Sequence, residues 1–282
     1  MESAVVLVNR FFDFLWIPLS KTPSYLDILI VSAISAILFL IIFKKTSNQE
    51  MIKIYKNKII GHILQIRLYK DHPMITFKSI LSIFGYNFIY LIYALVPMAF
   101  IIVPVLVISV QLNNRYGYSP LQIEKPFIIR AELDKTTVPD VKKSIQKIGC
   151  TTSDGMVLET PALRLINEAT VLWRAKVIDA KSPAQTFTMI MDGEPGSVMK
   201  KVISAMTKDG ISPETTKWHL DNLFVNNAEG FIPDSSPFEA VSVTYEHATY
   251  PFLLWNTDPI TMYFLWTLIF GLVFKPIIKV TI

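Results

Sequence analysis

The residues able to do chemistry in this chain are few, and their spacing argues against a catalytic centre. The four histidines, His62, His72, His219 and His247, stand far apart. His219 and His247 could meet with Asp221 or Glu246 to hold a metal, but solvated or hydrogen-bonded structural histidines are the default. Cys150 is the single cysteine. That excludes an internal disulfide and any cysteine-based metal site, and leaves a buried spectator thiol. No G-x-x-x-x-G-K-[ST], H-E-x-x-H or G-x-S-x-G motif occurs. Gly193 and Gly196 flank Glu194-Pro195 in what reads as a hairpin turn and not a phosphate cradle. The expectation is a non-enzymatic chain with no cofactor and no metal.

What chemistry remains is polar side chains set inside apolar stretches. Ser79, Ser82, Tyr86, Tyr90 and Tyr93 recur at helical spacing, with Asn87 beside them, and Ser32 and Ser35 form a smaller patch. Serines let helices pack closely and tyrosines settle at a membrane interface, which is one reading. The other is a hydrated groove that opens to the cytoplasm. No apolar stretch carries paired ionisable residues at its centre, which argues against a proton or ion pump.

The elements carrying these residues are membrane-class. No charge lies between Lys78 and Arg115, and the run includes Tyr90–Leu112. An apolar run above about 18 residues can cross the hydrocarbon core as a helix. Ser79–Leu112 is too long for one straight crossing, so its first part is expected along the inner interface or in a groove, with kinks at Pro97 and Pro104. Shorter runs, Ile28–Phe43 and Ile260–Phe274, flank it. The first offers only about 24 Å of helix, short unless Tyr25–Asp27 help to fill it or the bilayer thins. Val5–Leu19, with Phe11, Phe12, Phe14 and Trp16 interrupted by Arg10, Asp13 and Pro18, does not read as a secretory leader. It reads as a helix in the outer interface.

Charge sets the orientation. Residues 44–78 carry eight Lys and Arg against Glu50 and Asp71, whereas residues 113–258 carry 15 basic and 18 acidic residues. Short basic loops stay cytoplasmic while large domains cross regardless of charge. The N-terminus and the large segment are therefore expected outside, and the basic loop and C-terminus inside. The basic excess suits anionic headgroups. It lacks the aromatic or glycine-rich readout elements that nucleic-acid binding needs.

The basic loop is expected to form a helical hairpin. Ser47 and Glu50 have capping-box spacing, Ile52, Tyr55, Ile59, Ile63 and Ile66 form an apolar stripe, and Asp71-His72-Pro73 ends the helix. Asp71 could also cap the next helix. Past Tyr116–Pro120, alternating runs at Phe127–Leu133, Met156–Ile166, Ala169–Ile178, Gln185–Met191, Ser197–Ser204 and Glu239–Glu246 predict an antiparallel immunoglobulin-like β-sandwich. Trp173 is expected in its core. Ser212-Pro213 could open a helix to about Phe224, and Tyr250–Trp255 would return an aromatic patch to the membrane. The predicted divisions are an interfacial segment (1–24), a first span (25–43), the basic hairpin (44–78), a groove helix and second span (79–112), the β domain (113–258), and a third span with tail (259–282).

The layout of Phe43-Lys44-Lys45, then IKIYKNKIIGHILQIRLYKDHP, a span running to YGYSPL and a closing MYFLWTLIFGLVFKP resembles the YidC-type membrane protein insertase superfamily. It looks most like the compact three-span branch that includes the insertase subunit of the endoplasmic reticulum membrane complex, and like bacterial members with an inserted external β domain. The resemblance covers roughly residues 25–120 and 258–282 and excludes 122–258. It implies a cytoplasm-facing hydrophilic groove lined by Ser32, Ser35, Ser82, Tyr86 and Asn87, with Lys78 at its mouth. It also implies a hairpin that meets clients through Lys53, Lys56, Lys58, Arg67 and Lys70. Many members place a positive residue inside the groove, and no span here has one centrally. The implied partners are the bilayer, client membrane proteins or nascent chains, a ribosome, and an extracytoplasmic protein for the β domain, in a bacterial or archaeal plasma membrane. The rival expectation is a scaffold whose spans only anchor a partner-binding sandwich. An envelope enzyme or metal-binding accessory is a third.

Overall fold

The computed structural model of the protein describes residues 2–19, 22–138, 140–179, 182, 184–192, 197–204, 210–218 and 229–280. The chain divides into two compact units, one of residues 1–27 and 109–262 and the other of residues 28–108 and 263–282.

Four helices build the second unit or enter it. They are α2 (Ser24–Thr46), α3 (Gln49–Leu68), α4 (Pro73–Tyr116) and, at the end of the chain, the helix Pro259–Ile278. Three of these are long and apolar enough to cross a bilayer: α2, α4 and Pro259–Ile278. Only 6 % of the most apolar window of α4 is buried. Phe84, Phe88, Leu91, Leu95, Phe100 and Val103 stand exposed along it, an apolar surface far beyond what water tolerates on a monomer.

The first span is longer than its uncharged run. α2 begins at Ser24 and covers 23 residues, enough for about 30 Å of hydrocarbon. α4 is one continuous helix of 44 residues, with Pro97 and Pro104 inside it. Pro73 opens it at the first helical position, where a missing N–H costs nothing. The residue at the capping position is therefore His72 and not Asp71.

Where Leu40 and Phe43 of α2 meet Ile52 of α3 and Val280, a small core forms, with Tyr90, Tyr93 and Ile101 of α4 and Phe274 and Ile278 packed around it. The Lys44 ammonium donates to the Ile278 carbonyl at 2.7 Å, satisfying a C-terminal carbonyl with a cation. Asn48, not Ser47, caps α3, its side chain accepting from the Met51 amide at 3.1 Å. The inward stripe of α3 runs through the buried Ile52 and the half-buried Tyr55, Ile59, His62 and Ile66, whereas Ile63 is 51 % exposed.

The other unit opens with α1 (Glu2–Trp16) and a 3-10 turn, Ile17–Leu19. After α4, Gly117 allows a turn no other residue fits: a Cβ there would sit 2.4 Å from the Asn113 carbonyl oxygen, to which the Gly117 amide donates at 2.8 Å. The strands follow as β1 (Pro126–Leu133), β2 (Ile148–Thr152), β3 (Met156–Leu158), β4 (Leu163–Leu165), β5 (Thr170–Val177), β6 (Ala184–Met191), β7 (Val198–Ile203), β8 (Glu214–Thr216) and β9 (Phe238–Val243), with a short helix α5 (Val141–Ser144) after β1. A hairpin of β10 (Tyr250–Phe252) and β11 (Trp255–Thr257) precedes α6, the helix Pro259–Ile278.

These strands pair antiparallel, in one sheet ordered β3-β5-β1-β9-β8 with β4 also on β5, and another ordered β2-β6-β7. The two sheets share one core, built from Phe127, Ile129, Val171, Trp173 and Val241 of the first and Ile148, Phe187, Met189 and Val202 of the second. β1 and β6 alternate buried and less buried positions throughout, the period-2 pattern that places one face inward. Trp173 fills the core as expected.

Three readings of this region change. Met156–Ile166 is two short strands, β3 and β4, both hydrogen-bonded to β5. β2 is an added strand, because its Gly149-Cys150-Thr151-Thr152 has no alternation to announce it. The helix expected from Ser212 does not start there: Glu214–Thr216 is an edge strand on β9, as the β-branched Thr215 and Thr216 favour. The rest of that expected helix, 219–224, lies outside the described residues, as do residues 193–196 of the expected turn.

Candidate functional site

α4 turns one face to its neighbours. Ser79 and Pro97 are buried, and Ser82, Tyr86, Tyr90 and Tyr93 are half-buried, so the polar and aromatic stripe is the contact face of the helix. Tyr55 of α3 lies against this stripe, its ring 6.0 Å from Tyr86 and stacked 5.8 Å from Tyr93. His62 stacks on Tyr86 at 5.5 Å, and its Nδ1 lies 3.0 Å from the Gln65 Oε1. The Lys58 ammonium sits 5.2 Å from the Tyr55 ring and 5.0 Å from Tyr86, within the range of cation–π attraction.

Beside this cluster an open cleft of about 340 Å³ separates α3 from the first turns of α4. His62, Gln65 and Tyr69 line it from α3 and its cap, and Ile75, Lys78, Ser79 and Ser82 line it from α4. Of the six expected groove residues, Lys78 and Ser82 border this cleft and Tyr86 forms the aromatic wall next to it. Asn87 is exposed outside it. Ser32 and Ser35 are elsewhere and closed off, at 0 % and 2 % exposure. The Ser32 hydroxyl donates to the Ile28 carbonyl at 2.7 Å and reaches the Tyr263 carbonyl of α6 at 3.3 Å. They are helix-packing serines. A single groove walled by all six is not what these residues form. Sequence reasoning passed over His62 and Gln65; the signal was their place at 3–4 spacing with Ile52, Tyr55 and Ile59.

The five expected contact residues, Lys53, Lys56, Lys58, Arg67 and Lys70, are all exposed. Ile60, Leu64 and Leu68 are exposed among them, so the outer face of α3 is mixed basic and apolar.

The other unit holds polar order that the sequence did not announce. Asn9, Asp13 and Trp16 share one face of α1 and meet Gln111, Arg115 and Tyr116 near the end of α4. Gln111 donates to the Asn9 oxygen at 2.8 Å, Arg115 bridges Asp13 at 2.5 Å, and the Trp16 indole donates to the Tyr116 hydroxyl at 2.8 Å. Tyr116 then donates to the fully buried Asp27 carboxylate at 2.8 Å, and Tyr250 donates to the Tyr116 carbonyl at 3.1 Å. On the opposite face of α1, Leu7, Phe11 and Phe14 are exposed. A helix that hides its polar side and shows its apolar side is suited to lipid.

In the β domain, Lys217 is paired with the buried Asp134. Burial alone would raise the Asp134 carboxyl, but hydrogen bonds from Lys217, Thr136 and Thr137 outweigh it and hold the group well below the usual carboxylate range. Lys200 is fully buried and donates to the Ser212 carbonyl, Thr215 and Glu229 at 2.7, 2.8 and 3.1 Å. Burial pushes the Cys150 thiol up to about 12, leaving it unreactive at neutral pH. No cluster of three His, Cys, Asp or Glu able to hold a metal occurs among the described residues. Glu246 is taken by Lys125 at 2.5 Å and His247 packs on Tyr118; His219 and Asp221 lie outside the described residues. No family model, curated protein or solved structure matches the chain.

Proposed function

We propose that this chain is an insertase-like membrane protein that helps other membrane proteins to insert, fold or assemble. The observation that carries the reading is the open cleft bordered by His62, Gln65, Lys78, Ser79 and Ser82. It is a notch of mixed polar and apolar lining, Tyr69 and Ile75 included, at the base of a helix that is otherwise apolar and exposed. Moving a charged side chain through lipid costs about 2.5–3.5 kcal/mol on insertion scales. A hydrated notch shortens the lipid path that such a residue must cross, with no nucleotide needed. The exposed Lys53, Lys56, Lys58, Arg67 and Lys70 would make first contact with a client or ribosome, and Ile60, Leu64 and Leu68 would receive its apolar part.

In this reading α2, α4 and α6 cross a bacterial or archaeal plasma membrane. The Lys44–Ile278 contact supports a common side for the ends of α2 and α6. The basic residues from Lys44 to Lys78, with Lys275 and Lys279, then favour the cytoplasm, and the N-terminus and β domain lie outside. The β domain reads as an immunoglobulin-type sandwich. The orders β4-β5-β1 and β2-β6-β7 correspond to D-E-B and C-F-G of that Greek key, with β9 where strand A would lie. It would hold a client's emerging domain or an extracytoplasmic partner.

The scaffold reading draws on the closed Ser32 and Ser35 and on the packed Tyr86. Single-cysteine labelling separates the two. With Cys150 replaced by Ser, Ser82→Cys and Lys78→Cys should react with an impermeant maleimide applied from the cytoplasmic side, while Ser32→Cys should not. Photocrosslinkers at Lys56 and Arg67 should capture nascent membrane proteins. A silent Ser82→Cys together with background crosslinking would favour the scaffold.

A further inference from the structure

We infer that a second cleft, in the unit of residues 1–27 and 109–262, is a headgroup site for a phospholipid of the phosphoethanolamine type. The inference rests on the membrane placement proposed above, not on client insertion. The cleft measures about 370 Å³, adequate for a small polar group. Its polar lining is Asn9, Asp13, Gln111, Asn114, Arg115, Lys201 and Glu229.

Gln111 and Asn114 are polar side chains at 2 % and 3 % exposure whose surfaces border this space. Lys201 brings an exposed ammonium. Asp13 brings a carboxylate that remains 64 % exposed although Arg115 holds it. Glu229 is fixed from beneath by Lys200 and Thr215. A phosphodiester requires a cation and N–H donors, and a primary ammonium requires anionic acceptors. A simple anion would suit a cleft of one sign. This one offers both signs with amides between them, which matches a headgroup carrying phosphate and ammonium a few atoms apart.

Position agrees with composition. Asn9 and Asp13 reach the cleft from the polar face of α1, while Leu7, Phe11 and Phe14 on its other face are 69, 57 and 70 % exposed. A helix with that face in acyl chains sets the cleft at headgroup depth.

The test uses the full chain, purified in mild detergent and delipidated, with binding read from the rise in melting temperature on titration. The probes are dihexanoyl phosphatidylethanolamine, phosphatidylcholine and phosphatidylglycerol, O-phosphoethanolamine and inorganic phosphate. Phosphatidylethanolamine should bind most tightly, because choline offers no N–H donors and glycerol no cation. Lys201→Gln and Asp13→Asn should each weaken it about fivefold or more. Equal responses to the three lipids, or unchanged affinity in both variants, would overturn the site. O-phosphoethanolamine binding as tightly as the lipid would overturn a lipid source. Carbonate extraction of membranes reads the placement separately. A chain retained there without lipid preference refutes the headgroup site alone, whereas a chain released by carbonate refutes the placement beneath it.

Discussion

Tyr116→Phe should loosen α1 from the unit it joins, by an amount the structure lets one work out. Tyr116 is 2 % exposed, and its hydroxyl does two things at once: it accepts from the Trp16 indole and donates to Asp27, which is 0 % exposed. Phenylalanine keeps the ring and removes only the oxygen. Asp27 then loses a charge-assisted bond worth about 1.5–3 kcal/mol, and the Trp16 N–H is left buried at a cost of about 1–3 kcal/mol. Thr22 still bonds Asp27, so the net loss falls near 3–4 kcal/mol. Trp16→Phe removes one neutral bond and leaves the Tyr116 hydroxyl on Asp27, for about 1 kcal/mol beyond the smaller ring. For a unit of this size about 2–4 °C follows each kcal/mol. Melting in mild detergent, followed by intrinsic fluorescence, should therefore drop by about 6–16 °C for Tyr116→Phe, with Trp16→Phe clearly milder. If Tyr116→Phe melts within about 2 °C of the parent, or the two variants cost the same, the Trp16–Tyr116–Asp27 chain does not hold α1 and the reasoning fails.

Four further outcomes are expected. Lys217→Met leaves the buried Asp134 carboxylate without its ion-pair partner and should destabilise the β domain by about 3–5 kcal/mol in urea unfolding. Because the Asp134 carboxyl is held below its ordinary value of 3.8, its contribution is complete above that pH and is lost as pH falls toward the folded value. Asp134→Asn should therefore flatten the acid limb of a stability–pH curve, and an unchanged limb would contradict the pairing. Cys150, with its thiol pushed up to about 12, should resist maleimide at pH 7.5 until denaturant is added; rapid labelling of the folded chain would show that the thiol is not shielded. Tyr86→Ala removes the ring stacked on His62 and facing Lys58 and should free α3 from α4 by about 1–3 kcal/mol. Faster amide exchange across Gln49–Leu68 would report it, and unchanged exchange would mean that Ile52 and Ile59 alone hold the helix.

The apolar runs, the charge asymmetry and the period-2 strands were legible in the sequence, because each is set by local spacing. A helix of α4's composition cannot satisfy water on most of its surface, and β1, β5, β6, β7 and β9 announce themselves by alternation or β-branched content. The cap at Asn48 in place of Ser47, and the capping position at His72 in place of Asp71, fall within the residue or two over which helix ends compete. β2 and β8 were not legible. Their strand character comes from partners, β6 and β9, that lie tens of residues away in sequence.

The candidate sites divide in the same way. Lys53, Lys56, Lys58, Arg67 and Lys70 had to be exposed, since the charged end of a lysine or arginine is almost never fully buried. The placement of Ser32 and Ser35 against α6, and of Lys78 and Ser82 at a cleft with His62, depended on which helix faces met. Serine is short enough to suit a wet groove or a dry helix contact, so its type alone left both open. The ladder from Asn9, Asp13 and Trp16 to Gln111, Arg115 and Tyr116 joins residues about a hundred positions apart, and no local pattern could pair them. Composition made three helices long and apolar enough to cross a bilayer; only tertiary contact decided which polar groups meet each other and which face an open cleft.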